Sequence, residues 1–271
     1  MTGFSGIYQL YLARKAGFNV KVVDRAADVG GTWYWNRYPG AMSDSEAYIY
    51  RYSWDKELLQ TWDFPDHYAK QPNSLAYLEH VVEKYDLRRN MEFDVQVTGT
   101  RWSDDQKWHT STTQGIFVSK YLVTALGLIT HAYWPDIPGL GAFKGDTYHT
   151  SRFPFDWDFT GKRVGVIGNG STGVQVITQL GRDKQVKSLV SFQRTPQYSV
   201  PSGDRRITQA EREAINKAYD ETWNQVKNSR VGFGLHPHCL PHFLIGHTEI
   251  TDGHRFCGKR RSRHVRIRGR A

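Results

Sequence analysis

The apolar positions change period several times along the chain, and each change marks an element. After Gly3-Phe4-Ser5-Gly6, the residues Ile7, Leu10, Tyr11 and Arg14 fall at helical spacing, and Gly17 stands where a helix can stop. Phe18, Val20 and Val22 then alternate with polar Asn19 and Lys21, which predicts a short strand ending at the carboxylate of Asp24. Asn73 is placed to cap a helix carrying Leu75, Leu78, Val82 and Tyr85. From Met91 the period becomes two, through Phe93, Val95 and Val97. A turn at 103–106, then alternating or apolar stretches at 108–110 and 116–125, predict a small antiparallel β-meander that ends at Gly127. Further on, residues 164–167 and 188–192 read as short strands flanking a helix with Val174, Val176, Ile177 and Leu180. Thr208-Gln209-Ala210-Glu211 is a capping box that opens one apolar stripe of Ile215, Tyr219, Thr222 or Trp223, and Val226.

Two glycine turns give these elements a chemistry. Gly168-Asn169-Gly170-Ser171-Thr172-Gly173, between a strand and a helix, is a complete G-x-G-x-x-G. In that motif the second glycine lets backbone approach a pyrophosphate, the third lets helix and strand pack closely, and a residue about 20 positions on reads the ribose. Here that strand ends at Gln193-Arg194-Thr195, where a guanidinium beside a hydroxyl can accommodate the 2′-phosphate of NADP. Gly3, Gly6 and Asp24 repeat the order earlier in the chain, with an acid suited to a free ribose hydroxyl. Met1 stands where the first glycine belongs and no strand precedes it, so this first unit is expected to lack its opening strand and part of its phosphate turn. Two Rossmann-like units specifying different nucleotides are therefore expected.

Composition limits the alternatives. With 271 residues the chain can bury a large core without disulfide staples, and Cys239 and Cys257 are expected as thiols. No apolar run approaches a membrane span and no secretory leader opens the sequence, so the expected compartment is the cytoplasm. The net charge of +9 invites a nucleic-acid partner until its position is considered. Eight Lys and Arg and no acid lie in 254–271, leaving 28 basic against 27 acidic residues in the first 253, so no nucleic-acid partner is expected of the body. The segment from His236, with Cys239, His242, His247, His254 and Cys257, offers metal-ligating side chains, but Pro237, Pro241 and the lack of a repeated C-x-x-C argue against a metal site. The stretch 236–271 is expected to be an atypical, disordered basic tail, its origin a reading frame or exon structure lost near residue 234.

Three stretches resemble the flavin-dependent Baeyer–Villiger monooxygenases of the cyclohexanone and cycloalkanone monooxygenase type. Phe143-Lys144-Gly145-Asp146-Thr147-Tyr148-His149-Thr150-Ser151-Arg152-Phe153-Pro154 resembles that family's F-x-G-x-x-x-H-x-x-x-[W/F]-P fingerprint and precedes the second glycine motif, as in the family. Gly30-Gly31-Thr32-Trp33-Tyr34-Trp35-Asn36-Arg37-Tyr38-Pro39-Gly40-Ala41, with Asp44 beyond it, resembles the aromatic loop set against the flavin, and Phe192-Gln193-Arg194-Thr195-Pro196 is the third stretch. The resemblance covers about residues 3–230 and implies an N-terminal half. It implies an α/β fold of two Rossmann-like dinucleotide-binding units, of the three-layer ββα/βαβ flavoprotein type, with the meander. Residues 1–135 would hold FAD through Gly3, Gly6, Asp24, Gly31, Thr32, Trp33, Trp35 and Tyr38. Residues 136–235 would hold NADPH through Gly168, Gly170, Ser171, Thr172, Gly173, Arg194 and Thr195. Asp44 would be the acid near the flavin, orienting a cationic partner; Phe143, Gly145, His149 and Pro154 would form the hinge fingerprint. The implied reaction places one atom of O2 beside a ketone carbonyl, giving an ester or lactone.

The sequence departs from that family in two places. Lys259-Arg260 superficially matches the family's late lysine-arginine pair, but the spacing from Arg194 and the neighbours Arg261, Ser262 and Arg263 do not, so its role is not carried over. The family's final third has no counterpart. Impaired activity and weak flavin retention are therefore expected. The alternatives are an N-hydroxylating or sulfoxidising flavin monooxygenase, or a catalytically silent NADP-binding fragment.

Overall fold

A computed structural model describes residues 2–129, 131–199 and 201–229. The tail at 236–271, its metal-ligating side chains and Lys259-Arg260 lie outside the described residues. The chain forms two compact units: one takes the residues up to Tyr38 with Gln71–Trp157, the other takes Pro39–Lys70 with the described residues from Asp158 onward. These packing boundaries differ from a single boundary near 135. Segment 39–70 carries no local signal of the unit it joins, because its partners are far away in sequence.

In the first unit, helix α1 (Phe4–Lys15) buries Gly6, Ile7 and Leu10 on one face. It closes at Gly17, whose φ of +79° lets the amides of Gly17 and Phe18 turn back onto the carbonyls of Arg14 and Ala13. The strand expected from Phe18 is shorter than its alternation suggests: β1 is Val22–Val23, paired in parallel with β4 (Met91–Glu92). Between them lie the four-residue helix α2 (Thr32–Trp35) and helix α4 (Gln71–Lys84). Asn73 sits inside α4 rather than capping it, because Pro72, which has no N–H to satisfy, occupies the first turn. Tyr77, Leu78, Val81 and Val82 of α4 are buried, as are Val29, Leu87 and Val95. The meander is β5 (Val97–Ser103), β6 (Lys107–Thr112) and β7 (Gly115–Ser119), antiparallel throughout, with Gln106 at φ +57° in the tight turn. The expected continuation from 120 to 125 is not a strand. Val123 and Leu126 are exposed there, and a strand exists only where a neighbour completes its hydrogen bonds.

In the second unit, β8 (Arg163–Ile167), α5 (Ser171–Asp183) and β9 (Ser188–Phe192) form a β-α-β run whose strands pair in parallel, residue 163 opposite 188 through 167 opposite 192. Val176 and Leu180, one helical turn apart, are the buried face of α5. Segment 39–70 contributes β2 (Met42–Glu46), α3 (Lys56–Thr61) and β3 (Tyr68–Lys70), with β2 and β3 antiparallel. The apolar stripe after the capping box divides at Ala218 into α6 (Gln209–Lys217) and α7 (Tyr219–Asn228), and Trp223 and Val226 of α7 pack on Leu59. The architecture is α/β and Rossmann-type, with two parallel strand pairs and an antiparallel meander. Among the described residues, no helix is long and apolar enough to cross a membrane.

Candidate functional site

The glycine turn at 168–173 lies at the junction of β8 and α5. Gly168 leaves the strand at φ +102°, its amide making the last ladder bond to the Phe192 carbonyl at 2.9 Å. A Cβ at Gly173 would lie 2.2 Å from the Gly168 carbonyl oxygen, so only glycine allows the helix to start this close to the strand. Gly170 is the N-cap and no side chain caps it. The N–H groups of the first turn, around Ser171, Thr172 and Gly173, therefore have no intrahelical acceptor and, with the helix dipole, can hold an anion. This is a cradle that a pyrophosphate fits.

Asn169 connects the cradle to the end of β9. Its Nδ2 donates to Gln193 Oε1 at 2.8 Å and to the Thr195 carbonyl at 3.1 Å. Arg194 lies between these two anchors, and both Arg194 and Thr195 are exposed. The structure thus brings together Gly168, Gly170, Ser171, Thr172, Gly173, Arg194 and Thr195. Asn169 and Gln193 escaped sequence reasoning, since the motif treats their positions as free.

Around the first glycine turn, Gly3 is the N-cap of α1 and Gly6 is buried within it. Gly31, at φ +54°, faces Gly3 so closely that a Cβ on it would come within 2.6 Å of the Gly3 Cα. Asp24 is buried at the end of β1. Its Oδ2 accepts from the Thr2 amide at 2.6 Å and the Thr2 hydroxyl at 2.9 Å, and its Oδ1 accepts from the Ala26 amide at 2.9 Å. These bonds hold the ends of the turn and strand together. Thr2 carried no signal in the sequence because it occupies a variable place in the motif.

The aromatic loop is largely internal to its unit. Trp33 and Tyr38 are buried, and Gln71 Nε2 donates to the Trp33 carbonyl at 2.7 Å. Thr32 opens α2, and its carbonyl accepts from the Asn36 amide. Trp35 carries two guanidinium groups over its ring, Arg152 at 4.3 Å and Arg25 at 5.2 Å. Burial lowers the pKa of Arg152 from its ordinary value, and the Arg25 charge lowers it further. Arg37 stacks on Phe155 at 3.4 Å and on Tyr34 at 4.7 Å. The loop is therefore clasped by the residues that end and follow the fingerprint.

Within the fingerprint, Phe143 is exposed and its ring lies over Gly145. His149 caps a short 3₁₀ turn: its Nδ1 accepts from the Ser151 amide at 3.1 Å, which places the ring proton on Nε2, and Nε2 donates to the Tyr133 carbonyl at 3.2 Å. Its ring meets Trp134 edge-on at 5.3 Å. Pro154 is half-buried after Phe153. In the second unit, Asp44 is an exposed residue of β2 and accepts from Gln175 Nε2 of α5 at 3.2 Å.

The parallel pairs and glycine junction define a Rossmann-type α/β protein. The chain belongs to the flavin-binding monooxygenase-like family, whose family model matches residues 1–196. It is 42% identical over 250 residues to cyclohexanone 1,2-monooxygenase of Acinetobacter sp., covering 91% of this chain and 46% of that protein. It is 46% identical over 242 residues to a Baeyer–Villiger monooxygenase of Pseudooceanicola batsensis, covering 88% and 44%. Among solved structures, the NADP+-bound cyclohexanone monooxygenase of Rhodococcus sp. Phi1 is similar at a TM-score of 0.83 and 47% identity, over 87% of this chain and 44% of that one. The chain thus spans about half the length of the relatives it matches.

Proposed function

We propose that this chain supplies the two nucleotide-binding units of a FAD- and NADPH-dependent monooxygenase that inserts one atom of O2 next to a ketone carbonyl, giving an ester or lactone. The observation that carries this reading is the complete cradle at 168–173, tied by Asn169 to the strand end that presents Arg194 and Thr195. NADPH is held there, its pyrophosphate on the α5 N-terminus and its 2′-phosphate at Arg194 and Thr195. FAD is held by Gly3, Gly6 and Asp24, with Gly31, Thr32, Trp33, Trp35 and Tyr38 as the loop beside it. In sequence the assignment is 1–135 for FAD and 136–235 for NADPH.

When bound, the two cofactors supply the hydride and the activation of oxygen. The residues of this chain bind and orient. Asp44, steadied by Gln175, orients a cationic group, and His149 acts by ordering the loop between Tyr133 and Ser151 rather than at the reacting bond. The ketone and O2 are the partners, and the cytoplasm, where NADPH is supplied, is the compartment.

The test is the absorbance spectrum of the full chain with added FAD, before and after NADPH, in air, followed by product analysis with a cyclic ketone, an amine and a sulfide. Weakly retained flavin that NADPH bleaches when FAD is in excess, with lactone formed slowly, is expected. Flavin that NADPH does not bleach even in excess overturns the reading. Oxidation of the amine or sulfide alone would assign the N-hydroxylating or sulfoxidising chemistry instead.

A further inference from the structure

We propose that Asn169 sets the preference of the second unit for NADP(H) over NAD(H), acting as a positioning residue for Arg194; the inference rests on the NADPH reading above. The asparagine is the first variable residue of the glycine motif, in the loop between β8 and α5. Its side-chain amide has two N–H groups, and both find acceptors: the Gln193 side chain at 2.8 Å and the Thr195 carbonyl at 3.1 Å. Those acceptors flank Arg194 on both sides. These two bonds carry the link between the loop and the strand end past the last ladder bond, from the Gly168 amide to the Phe192 carbonyl.

The consequence concerns geometry at the two ends of a dinucleotide. The N–H groups around residues 171–173 would hold its pyrophosphate, and Arg194 would hold the phosphate at the 2′ position of its ribose. A guanidinium recognises phosphate through paired, directional hydrogen bonds, so its worth depends on where its backbone is held. Asn169 belongs to the phosphate loop and grips the backbone that carries the guanidinium. It therefore fixes the spacing between the two phosphate contacts, one of which NAD lacks. A residue that merely braced the loop would matter equally to both nucleotides.

Isothermal titration of the full chain with NADP+ and with NAD+ separates the two roles. Asn169→Ala is expected to weaken NADP+ by about tenfold, the size of two exposed neutral hydrogen bonds, and to leave NAD+ within about twofold. Arg194→Ala should remove the same preference, and the double variant should lose little more than Arg194→Ala alone, because one residue acts through the other. Should Asn169→Ala not fold, Asn169→Ser, with a single donor, gives the same comparison. Equal losses for the two nucleotides, or additive losses in the double variant, overturn the inference while leaving the NADPH reading intact. A wild-type chain that binds neither nucleotide overturns both.

Discussion

Gln175 of α5 reaches Asp44 of β2: its Nε2 donates to Asp44 Oδ1 at 3.2 Å and also to the Met42 carbonyl at 3.2 Å, while the Met42 amide donates to Gln175 Oε1 at 3.4 Å. One side chain therefore pins the strand that carries the acid to the helix that opens the phosphate cradle. Gln175→Ala should speed hydrogen exchange at the Met42 amide and lower unfolding free energy by about 1 kcal/mol, since two backbone groups lose their partner. Gln175→Glu should destabilise more than Gln175→Ala, because it removes the donor to Asp44 and sets a second carboxylate against it. Exchange at Met42 that is unchanged in Gln175→Ala would show that the strand is held by something else.

Gly170 and Gly173 separate the two duties of the cradle. A Cβ at Gly173 meets the Gly168 carbonyl at 2.2 Å, whereas a Cβ at Gly170, which has a φ of −72°, meets nothing within 4 Å. Gly173→Ala should destabilise the fold by about 3 kcal/mol, at the upper end for an overpacked site. Gly170→Ala should leave the unfolding midpoint near that of the wild type but weaken NADP+ binding, because the methyl group occupies the approach of a phosphate. Urea unfolding and nucleotide titration on both variants check the contrast, and equal stability losses would remove it.

What was legible in the sequence was what close approach or local hydrogen bonding dictates. The motif at 168–173, the turn at Gln106 and the capping box from Thr208 to Glu211 are each fixed by residues a few positions apart. Asn73 was misleading because Pro72 is a stronger start signal than a capping asparagine one residue on. The stretch 120–125 was misleading for a different reason: alternation states a preference, and only a neighbouring strand can satisfy it. The remaining gaps are all long-range. Nothing near residue 42 announces Gln175, nothing near Trp35 announces Arg152, and the positions of Thr2 and Asn169 are those a motif leaves open.

Arg37 tests how the aromatic loop is held. Its guanidinium stacks on Phe155 and Tyr34 and donates to the Tyr34 carbonyl, and burial lowers its pKa from its ordinary value. Lysine would keep the charge but lose the plane that meets two rings. Arg37→Lys should therefore cost about 1 kcal/mol, the worth of a partly desolvated cation–π contact. The urea midpoint should fall with an unchanged slope. A variant as stable as the wild type would mean that the ring contacts carry no weight.

Glu211 gives a pH dependence whose direction is fixed by its partners. Arg205 first, then the Thr208 amide and hydroxyl, hold its carboxylate down to about 2 from an ordinary 4.5. A group whose pKa is depressed by folding favours the folded state above its unfolded pKa and loses that contribution as pH falls. Here the contribution is complete above about 4.5 and fades towards about 2, as protonation removes the Arg205 pair and the reciprocal cap on α6. In the folded protein, the side-chain carboxyl resonance of Glu211 should titrate with a midpoint far below 4.5, and the start of α6 should fray over the same range. Glu211→Gln retains an oxygen for the cap but cannot titrate, so fraying at α6 should become independent of pH there. A Glu211 midpoint close to 4.5 would show that the exposed Arg205 pair is too well solvated to matter.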